Sequence, residues 1–251
     1  MFLTIAIMTA LTIAVATFSL APRLGQSRVL FEAEPDRPSA FGYNMAWLAI
    51  RSRDTQSIIE ALGIAEALPC NWNSGIGTVY DHKLGESYIY VTPPVNGWTF
   101  VVGLPLPHPV GRSFADKCTP LLVHLGGRFT EVQYFFSYPP LDFFAWARMQ
   151  DGRLVRAFAI GDEGLVWSKG KTTREEKSLG LKLFELRGVK GRRGDAGGEI
   201  ILHPTEDHVM RIAQAWSLNP VRLEEATSGP ALGFICAAPL SWRAERLRKT
   251  A

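Results

Sequence analysis

One stretch of the chain decides the fold: residues 129–168 read FTEVQYFFSYPPLDFFAWARMQDGRLVRAFAIGDEGLVWS. Aromatic and β-branched residues recur along Phe129–Tyr138 and along Leu141–Gln150, with the turn-forming Pro139-Pro140 between them. Asp151-Gly152 then separates two such runs, and this dipeptide is the strongest short-range signal for a β-hairpin. We therefore predict an antiparallel β-meander over this stretch.

The two-residue turn at Asp151-Gly152 also predicts the register of this hairpin. Counting outward from the turn pairs Met149 with Leu154 and Ala145 with Phe158. One face of the sheet is then apolar, and it carries Leu141, Phe143, Ala145, Ala147, Met149, Leu154, Phe158 and Ile160. The opposite face carries a candidate polar surface of the sheet, formed by Asp142, Trp146 and Arg148. Asp142 and Arg148 could take part in acid–base chemistry there or simply compensate each other's charge.

Short helices are predicted around the meander. Asp54 is a typical N-cap residue before a short apolar face, and Thr205 precedes a longer amphipathic helix. Two further short helices are predicted, one near Pro120 and one within residues 172–180. The second helix could begin with a capping box, formed either by Thr172 with Glu175 or by Thr173 with Glu176. These elements indicate an α+β fold, with an antiparallel β-meander packed against a few short helices, as a single domain over residues 43–242.

The composition is typical of a folded protein and excludes several functional classes. The 251 residues are 47% hydrophobic and 20% charged, which is slightly below the share of about 25% charged residues in soluble domains. The 27 Lys and Arg residues exceed the 24 Asp and Glu residues by only three, a surplus too small to indicate a nucleic-acid partner. Three cysteines, an odd number, exclude a disulfide scaffold.

The first residues predict a helix that inserts into a membrane. Phe2–Ala21 contains twenty consecutive residues without a charge, and about 20 apolar residues cover a hydrocarbon core of roughly 30 Å. The segment could be retained as a single-pass anchor or cleaved as a signal peptide, after Ala16 or after Ala21. A signal peptide requires cations before its apolar stretch, and none precedes this segment. We therefore favour the anchor over cleavage.

The cations around this segment predict its orientation. Arg23, Arg28 and Arg37 follow the segment and none precedes it, so the positive-inside rule places the body in the cytoplasm, attached to the inner membrane. An odd set of free cysteines suits that reducing compartment. The alternative is export, which places the body in the periplasm or releases it after cleavage.

Three other segments are predicted to lie outside regular structure. Residues 22–42 carry three prolines, mixed charges and no periodicity, and we interpret them as a tether. Residues 187–198 contain five glycines and four cations and predict a mobile loop. Residues 243–251 form a basic tail. The cations of the loop and the tail either meet anionic lipid headgroups or are simply solvated.

A candidate partner surface comes from two tryptophans in loop-like contexts. Residues 69–77 read PCNWNSGIG, a composition typical of a loop. Trp72 lies in this segment between Asn71 and Asn73, and Trp242 lies near the C-terminus. Because aromatic residues are enriched in interfaces, these four residues are candidates for contact with a protein partner.

Patterns typical of catalysis or metal binding are weak throughout the chain. Cys118 and His124 could form a nucleophile–base pair, but a buried structural cysteine is commoner. His203 and His208 are five residues apart, the wrong spacing for two metal ligands on one helix face. Gly75 lies in half of a phosphate-binding glycine pattern. We expect no cofactor, no metal and no nameable catalytic residue.

Several segments together resemble a group of uncharacterised bacterial proteins. The group shares an EVQYFFS–AWAR–DGxLVRA–GxxW signature followed by a helix of the DVM-x-x-A-x-x-WS type. The matching segments are EVQYFFS at 131–137, AWAR at 145–148, DGRLVRA at 151–157, GLVW at 164–167 and EDHVM at 206–210. The resemblance covers residues 44–66 and 129–220 and brings no activity with it. By analogy with other small non-enzymatic bacterial proteins, it suggests immunity or partner binding.

The sequence therefore predicts a membrane-anchored, non-catalytic bacterial protein that binds a protein partner. An immunity factor that neutralises a toxin is one form of this function. Two alternatives stay open. The first is an enzyme with a pocket between the sheet and the helices, and the second is a structural protein of the cell envelope.

Overall fold

The structure, a computed structural model, describes residues 30–110, 114–162, 164–181 and 203–245. The predicted membrane segment Phe2–Ala21, the glycine-rich segment 187–198 and most of the basic tail lie outside these ranges. Within them, no helix combines the length and the apolar character needed to cross a membrane.

An antiparallel sheet of nine strands lies at the centre of the described part of the chain. The strands are β1 (Met45–Ile50), β2 (Ala67–Cys70), β3 (Tyr88–Val91), β4 (Thr99–Val102), β5 (Glu131–Tyr138), β6 (Phe143–Gln150), β7 (Arg153–Gly161), β8 (Gly164–Lys169) and β9 (Gly233–Ala237). Their order across the sheet is β2-β9-β3-β4-β1-β5-β6-β7-β8. The predicted α+β fold is confirmed, and the predicted meander forms one half of the sheet.

Helices cover both faces of this sheet. They are α1 (Thr55–Ala61), α2 (Trp72–Tyr80), α3 (Cys118–Gly126), α4 (Arg174–Ser178) and α5 (Glu206–Trp216). On one face, Ile58 of α1 and Leu122 of α3 share a buried cluster with Tyr134 of β5. On the other face, the ring of Phe135 lies 5.9 Å from that of Trp216 in α5, and α2 packs against β3 and β9. We refer to these as the α1/α3 face and the α2/α5 face.

A register shift in the central hairpin corrects the prediction of its faces. Met149 pairs with Leu154 as predicted, but the next pair is Arg148 with Arg156, so that Val155 is an extra residue on β7. Beyond it, Phe158 pairs with Trp146 and their rings stack at 4.6 Å. Phe158 and Ile160 therefore lie on the α2/α5 face, because a β-bulge reverses which face each later residue occupies.

Small residues take the positions on the α1/α3 face that the predicted register gave to Phe158 and Ile160. Ala157 pairs with Ala147, and Ala159 pairs with Ala145. All four alanines belong to the buried cluster of the α1/α3 face. Helix α3 packs against β6 and β7, and this layer of methyl groups lies beneath it.

The second half of the predicted tether packs on the folded body. The carboxylate of Asp36 accepts hydrogen bonds from the backbone N–H groups of Trp72, at 2.6 Å, and Asn73, at 2.9 Å. Phe41 is buried, with its ring centroid 6.0 Å from that of Trp47. Folded structure therefore begins well before Tyr43, contrary to the prediction. The segment has no periodicity because it runs irregularly over the body, so its sequence does not reveal these contacts.

Candidate functional site

Two neighbouring cavities lie on the α1/α3 face, on either side of the extended segment 104–110. Cavity A has a volume of about 340 Å³, and its walls include Glu86, Ser87, Lys117, Leu240 and Trp242. Cavity B has a volume of about 310 Å³, and its walls include Phe136, Tyr138, Leu141, Phe143 and Val166. Leu104, His108 and Val110 line both cavities.

The segment between the cavities owes its extended course to its prolines. Pro105, Pro107 and Pro109 occupy every second position, and each proline fixes its φ angle and lacks an N–H donor. A helix is therefore excluded here. The alternation leaves Leu104, His108 and Val110 partly exposed towards the cavities.

The pairing of β5 with β6 brings together the aromatic side chains that form one wall of cavity B, which we call the aromatic wall. Phe136 and Tyr138 are two residues apart on β5, so they share a face, and Phe143 of β6 pairs with Tyr138. The ring centroids of Phe136 and Phe143 are 5.2 Å apart. Gly161 makes room for this wall, because a Cβ atom at that position would lie 3.0 Å from Cδ2 of Phe143.

His108 closes the aromatic wall from the side of the extended segment. Its ring centroid lies 5.7 Å from that of Phe136 and 6.3 Å from that of Phe143. Burial lowers the pKa of His108 below its ordinary value, since a low-dielectric site disfavours the charged form. The imidazole is therefore neutral near pH 7 and adds an uncharged ring to both cavities.

The turn before β6 forms the rim of cavity B. Pro139–Leu141 is a short 3₁₀ helix, and Asp142 follows it in the left-handed region with φ of 45°. Leu141 is 60% exposed although it also lines cavity B. An exposed apolar side chain at the mouth of an apolar cavity is a feature of binding surfaces.

Trp242 of the predicted partner surface lies between cavity A and a third, more open depression. The depression has a volume of about 390 Å³ and shares Lys117 and Trp242 with cavity A. Lys117 Nζ donates to the carbonyl oxygen of Arg243 at 2.7 Å, which holds the C-terminal segment against the start of α3. Trp242 therefore stays a candidate for partner contact.

The other members of the predicted partner surface begin a helix instead of a loop. Asn71 is the N-cap of α2, and its Oδ1 accepts from the N–H of Ser74 at 2.9 Å. Trp72 is only 1% exposed, and its ring lies 5.8 Å from that of Tyr90. Asn71 is buried as well, and Asn73 is exposed. The prediction of a loop with Trp72 at its surface is therefore wrong.

The glycines of this segment explain why its composition is misleading. A Cβ atom at Gly75 would lie 2.4 Å from the ring of Tyr90, so glycine is required there for α2 to approach β3. The Asn, Ser and Gly residues that suggest a loop are here a helix cap and a close contact between helix and strand. Sequence alone does not distinguish these uses, because the contact to Tyr90 is remote along the chain.

The candidate polar surface formed by Asp142, Trp146 and Arg148 does not exist as one surface. Trp146 is completely buried, Arg148 Nε donates to Glu131 Oε1 at 2.7 Å, and Asp142 lies outside β6 in the preceding turn. The charge of Arg148 is thus compensated by Glu131. The α2/α5 face is covered by helices, which the alternation pattern does not show.

A buried ion pair on the α2/α5 face was not predicted from the sequence. Arg156 Nε lies 2.7 Å from Oε1 and 2.9 Å from Oε2 of Glu176, and Trp146 Nε1 donates to the same Oε1 at 2.7 Å. Glu176 also completes the predicted capping box of α4 with Thr173. The capping box was visible in the sequence, whereas the partner of Glu176 depends on the bulge that turns Arg156 inward. These contacts fasten α4 to the sheet.

The residues considered for catalysis and metal binding have structural contacts. Burial raises the pKa of the Cys118 thiol well above its ordinary value, so the reactive thiolate is disfavoured. His124 Nε2 lies 3.1 Å from the carbonyl oxygen of Ala61. His208 Nδ1 accepts from the N–H of Thr205 at the start of α5. Within the described ranges, no group of three or more His, Cys, Asp and Glu residues is placed to hold a metal ion.

Comparisons of the chain with protein-family models, curated proteins and solved structures give no match.

Proposed function

We propose that this chain is a non-catalytic bacterial protein that binds a protein partner through the face containing cavities A and B. The segment Phe2–Ala21 would anchor it in the inner membrane with its body in the cytoplasm. Neutralisation of a toxin, as an immunity protein, is the particular form of partner binding that we favour.

One observation carries the proposal: two largely apolar cavities share a wall, and exposed leucines stand at their edges. Leu141 lines cavity B and is 60% exposed, and Leu240 lines cavity A and is 73% exposed. Apolar surface therefore continues from the interior of each cavity to its rim. Such a surface is typical of a protein-binding site, in which apolar anchors of the partner fill pockets.

The rigid construction of the site also supports binding. The aromatic wall belongs to β5 and β6, each paired along its whole length with the other. A site that is already formed loses little conformational entropy when a partner binds. The alternatives of an enzyme and of an envelope structural protein have no comparable observation behind them.

Photo-cross-linking tests the binding surface. We would place p-benzoylphenylalanine at Leu141 in the full chain and, as a control, at Leu68, which is 53% exposed on the edge strand β2. In membranes from the native cell, we expect one dominant protein adduct from position 141 and not from position 68. Equal labelling from both positions, or no adduct from position 141, would contradict the proposal.

Two further experiments test the anchor and the immunity role. Fusions of a fluorescent protein and of alkaline phosphatase after Ala251 should give fluorescence without phosphatase activity if the body is cytoplasmic. Phosphatase activity would place the body in the periplasm and redirect the search for a partner. Co-expression with a captured partner should restore growth if that partner is a toxin, and failure to do so would reject the immunity role.

A further inference from the structure

Cavity B combines aromatic rings with a carboxylate. Phe114, Phe136, Tyr138 and Phe143 contribute rings, and Asp162 is the charged side chain among the lining residues that the structure describes. Neutral His108 adds a fifth ring without adding a positive charge. The chemistry of the wall therefore differs from that of an ordinary aliphatic cavity.

The rings are tilted against one another. The planes of Phe136 and Phe143 make an angle of 51° with centroids 5.2 Å apart, and those of Phe136 and His108 make 52°. The ring of Phe136 is tilted by 35° from that of Tyr138. Parallel stacking would place the ring faces flat against one another, and rings tilted by these angles are not stacked in that way.

Both the rings and the carboxylate favour a positive charge. An aromatic face carries partial negative charge, and it attracts a cation within about 6 Å of the ring centroid, most often the guanidinium of arginine. The Asp162 carboxylate on the same cavity wall adds to the attraction. An uncharged ligand of the same shape gains from burial but not from these two interactions.

We infer that cavity B receives an arginine side chain of the protein partner. The inference rests on the proposed function and names the group that the partner presents. The planar guanidinium stacks on the rings, while its aliphatic stem packs along Leu104 and Leu141. A cavity of about 310 Å³ is large enough for one such side chain.

Binding of a charged probe and of its uncharged isostere tests this inference. The probes are N-acetylarginine amide and N-acetylcitrulline amide, titrated into the full chain in detergent and followed by NMR. We expect the arginine probe to bind at least about 5-fold more tightly, the range of a partly desolvated cation–π contact. Equal binding, tighter binding of citrulline or no binding of either probe would overturn the inference.

Two variants test whether the preference for the arginine probe arises in cavity B. Phe143→Leu should reduce the arginine preference to less than about 2-fold, and Asp162→Asn should weaken the arginine probe while leaving citrulline binding unchanged. Phe234→Leu is the matched control, because Phe234 lies on β9 outside the walls of both cavities. A preference unchanged by Phe143→Leu would overturn the assignment to cavity B.

Choline serves as a third probe, because a quaternary ammonium group would also suit aromatic rings. Tighter binding of choline than of the arginine probe would overturn the assignment to a side chain and indicate a small-molecule ligand. The titrations are independent of partner capture. A partner cross-linked at position 141 without any arginine preference would overturn only this inference, whereas an arginine preference without a captured partner would count against the proposed function.

Discussion

The Arg156 guanidinium and the Glu176 carboxylate meet through Nε at 2.7 and 2.9 Å, and both side chains are almost fully buried. Arg156 Nη1 also donates to the carbonyl oxygens of Ala157 and Lys169. A buried charge without its counter-charge is unfavourable, so removal of one partner should destabilise the protein strongly. The intact pair need not stabilise the fold more than two apolar side chains at the same positions would. Its structural consequence is that α4 has one fixed position on β7.

Glu176→Gln should therefore destabilise the protein strongly, because it leaves the Arg156 charge buried without a counter-charge. We expect a loss of about 3–5 kcal/mol in the free energy of unfolding, measured by urea denaturation of the full chain in detergent. The double variant Arg156→Met/Glu176→Leu should lose less than this single variant. Glu225→Gln, which removes an exposed partner of Arg222, is the control and should change the stability little.

Two glycines of α2 should respond in opposite directions to the same substitution. Gly75→Ala should destabilise by about 1–3 kcal/mol, because the new Cβ would lie 2.4 Å from the ring of Tyr90. Gly77→Ala, where a Cβ would meet nothing within 4 Å, should stabilise by about 0.5–1 kcal/mol through helix propensity. Equal effects in thermal unfolding would contradict the packing of α2 on β3.

Asp36→Ala should release the N-terminal segment from α2. Loss of a side chain that accepts from N–H groups at the start of a helix costs about 1 kcal/mol. Glu34→Ala is the matched control, because Glu34 contributes its backbone carbonyl oxygen to the contact with Asn71 Nδ2, which the substitution preserves. Faster hydrogen exchange at Trp72 and Asn73 in the Asp36 variant, and not in the Glu34 variant, would identify the contact responsible.

His108 should make the stability depend on pH in a defined direction. Its folded pKa is lowered by burial from the ordinary value of 6.5, so below about pH 6.5 the unfolded chain binds a proton that the folded chain does not. Stability should therefore fall as the pH decreases from 6.5 towards the folded pKa, and this component should disappear in His108→Gln. His82→Gln, at an exposed position, is the control and should retain the full dependence.

The cysteines should be unreactive in the folded protein. All three are buried, and burial raises the pKa of Cys236 to about 12, so almost no thiolate is available for attack. Ellman's reagent at pH 8 should detect no fast-reacting thiol in the native chain and three thiols after denaturation. Rapid native modification of Cys118 in particular would revive the hypothesis of a cysteine nucleophile.

The features predicted correctly from the sequence are those that depend on neighbouring residues. The turn at Asp151-Gly152, the strands on either side of it and the capping box of Thr173 and Glu176 are all encoded within a few positions. The structure of these elements follows from local turn geometry and from hydrogen bonds between residues close in sequence. The meander was therefore predictable, and its first pairs have the predicted register.

The features that escaped prediction depend on contacts remote along the chain. The bulge at Val155 turns Arg156 towards Glu176, the docking of Asp36 requires the start of α2, and the helix at Trp72 requires Tyr90 opposite Gly75. Cavity B joins His108 to strands that begin more than twenty residues later. A single sequence carries no local signal for such pairs, since residue types are compatible with many partners.

The extra residue in β7 also bears on how this protein can change during evolution. Because the ladder skips Val155, loss of its codon would leave Leu154 opposite Met149 and Arg156 opposite Arg148. The bulge would disappear, and every side chain from Arg156 to Ile160 would keep its face of the sheet. Loss of a codon from 157 to 159, where the pairing with β6 is regular, would instead exchange the faces of the residues that follow it on this strand. Selection should therefore tolerate a deletion at Val155 more readily than a deletion a few residues later.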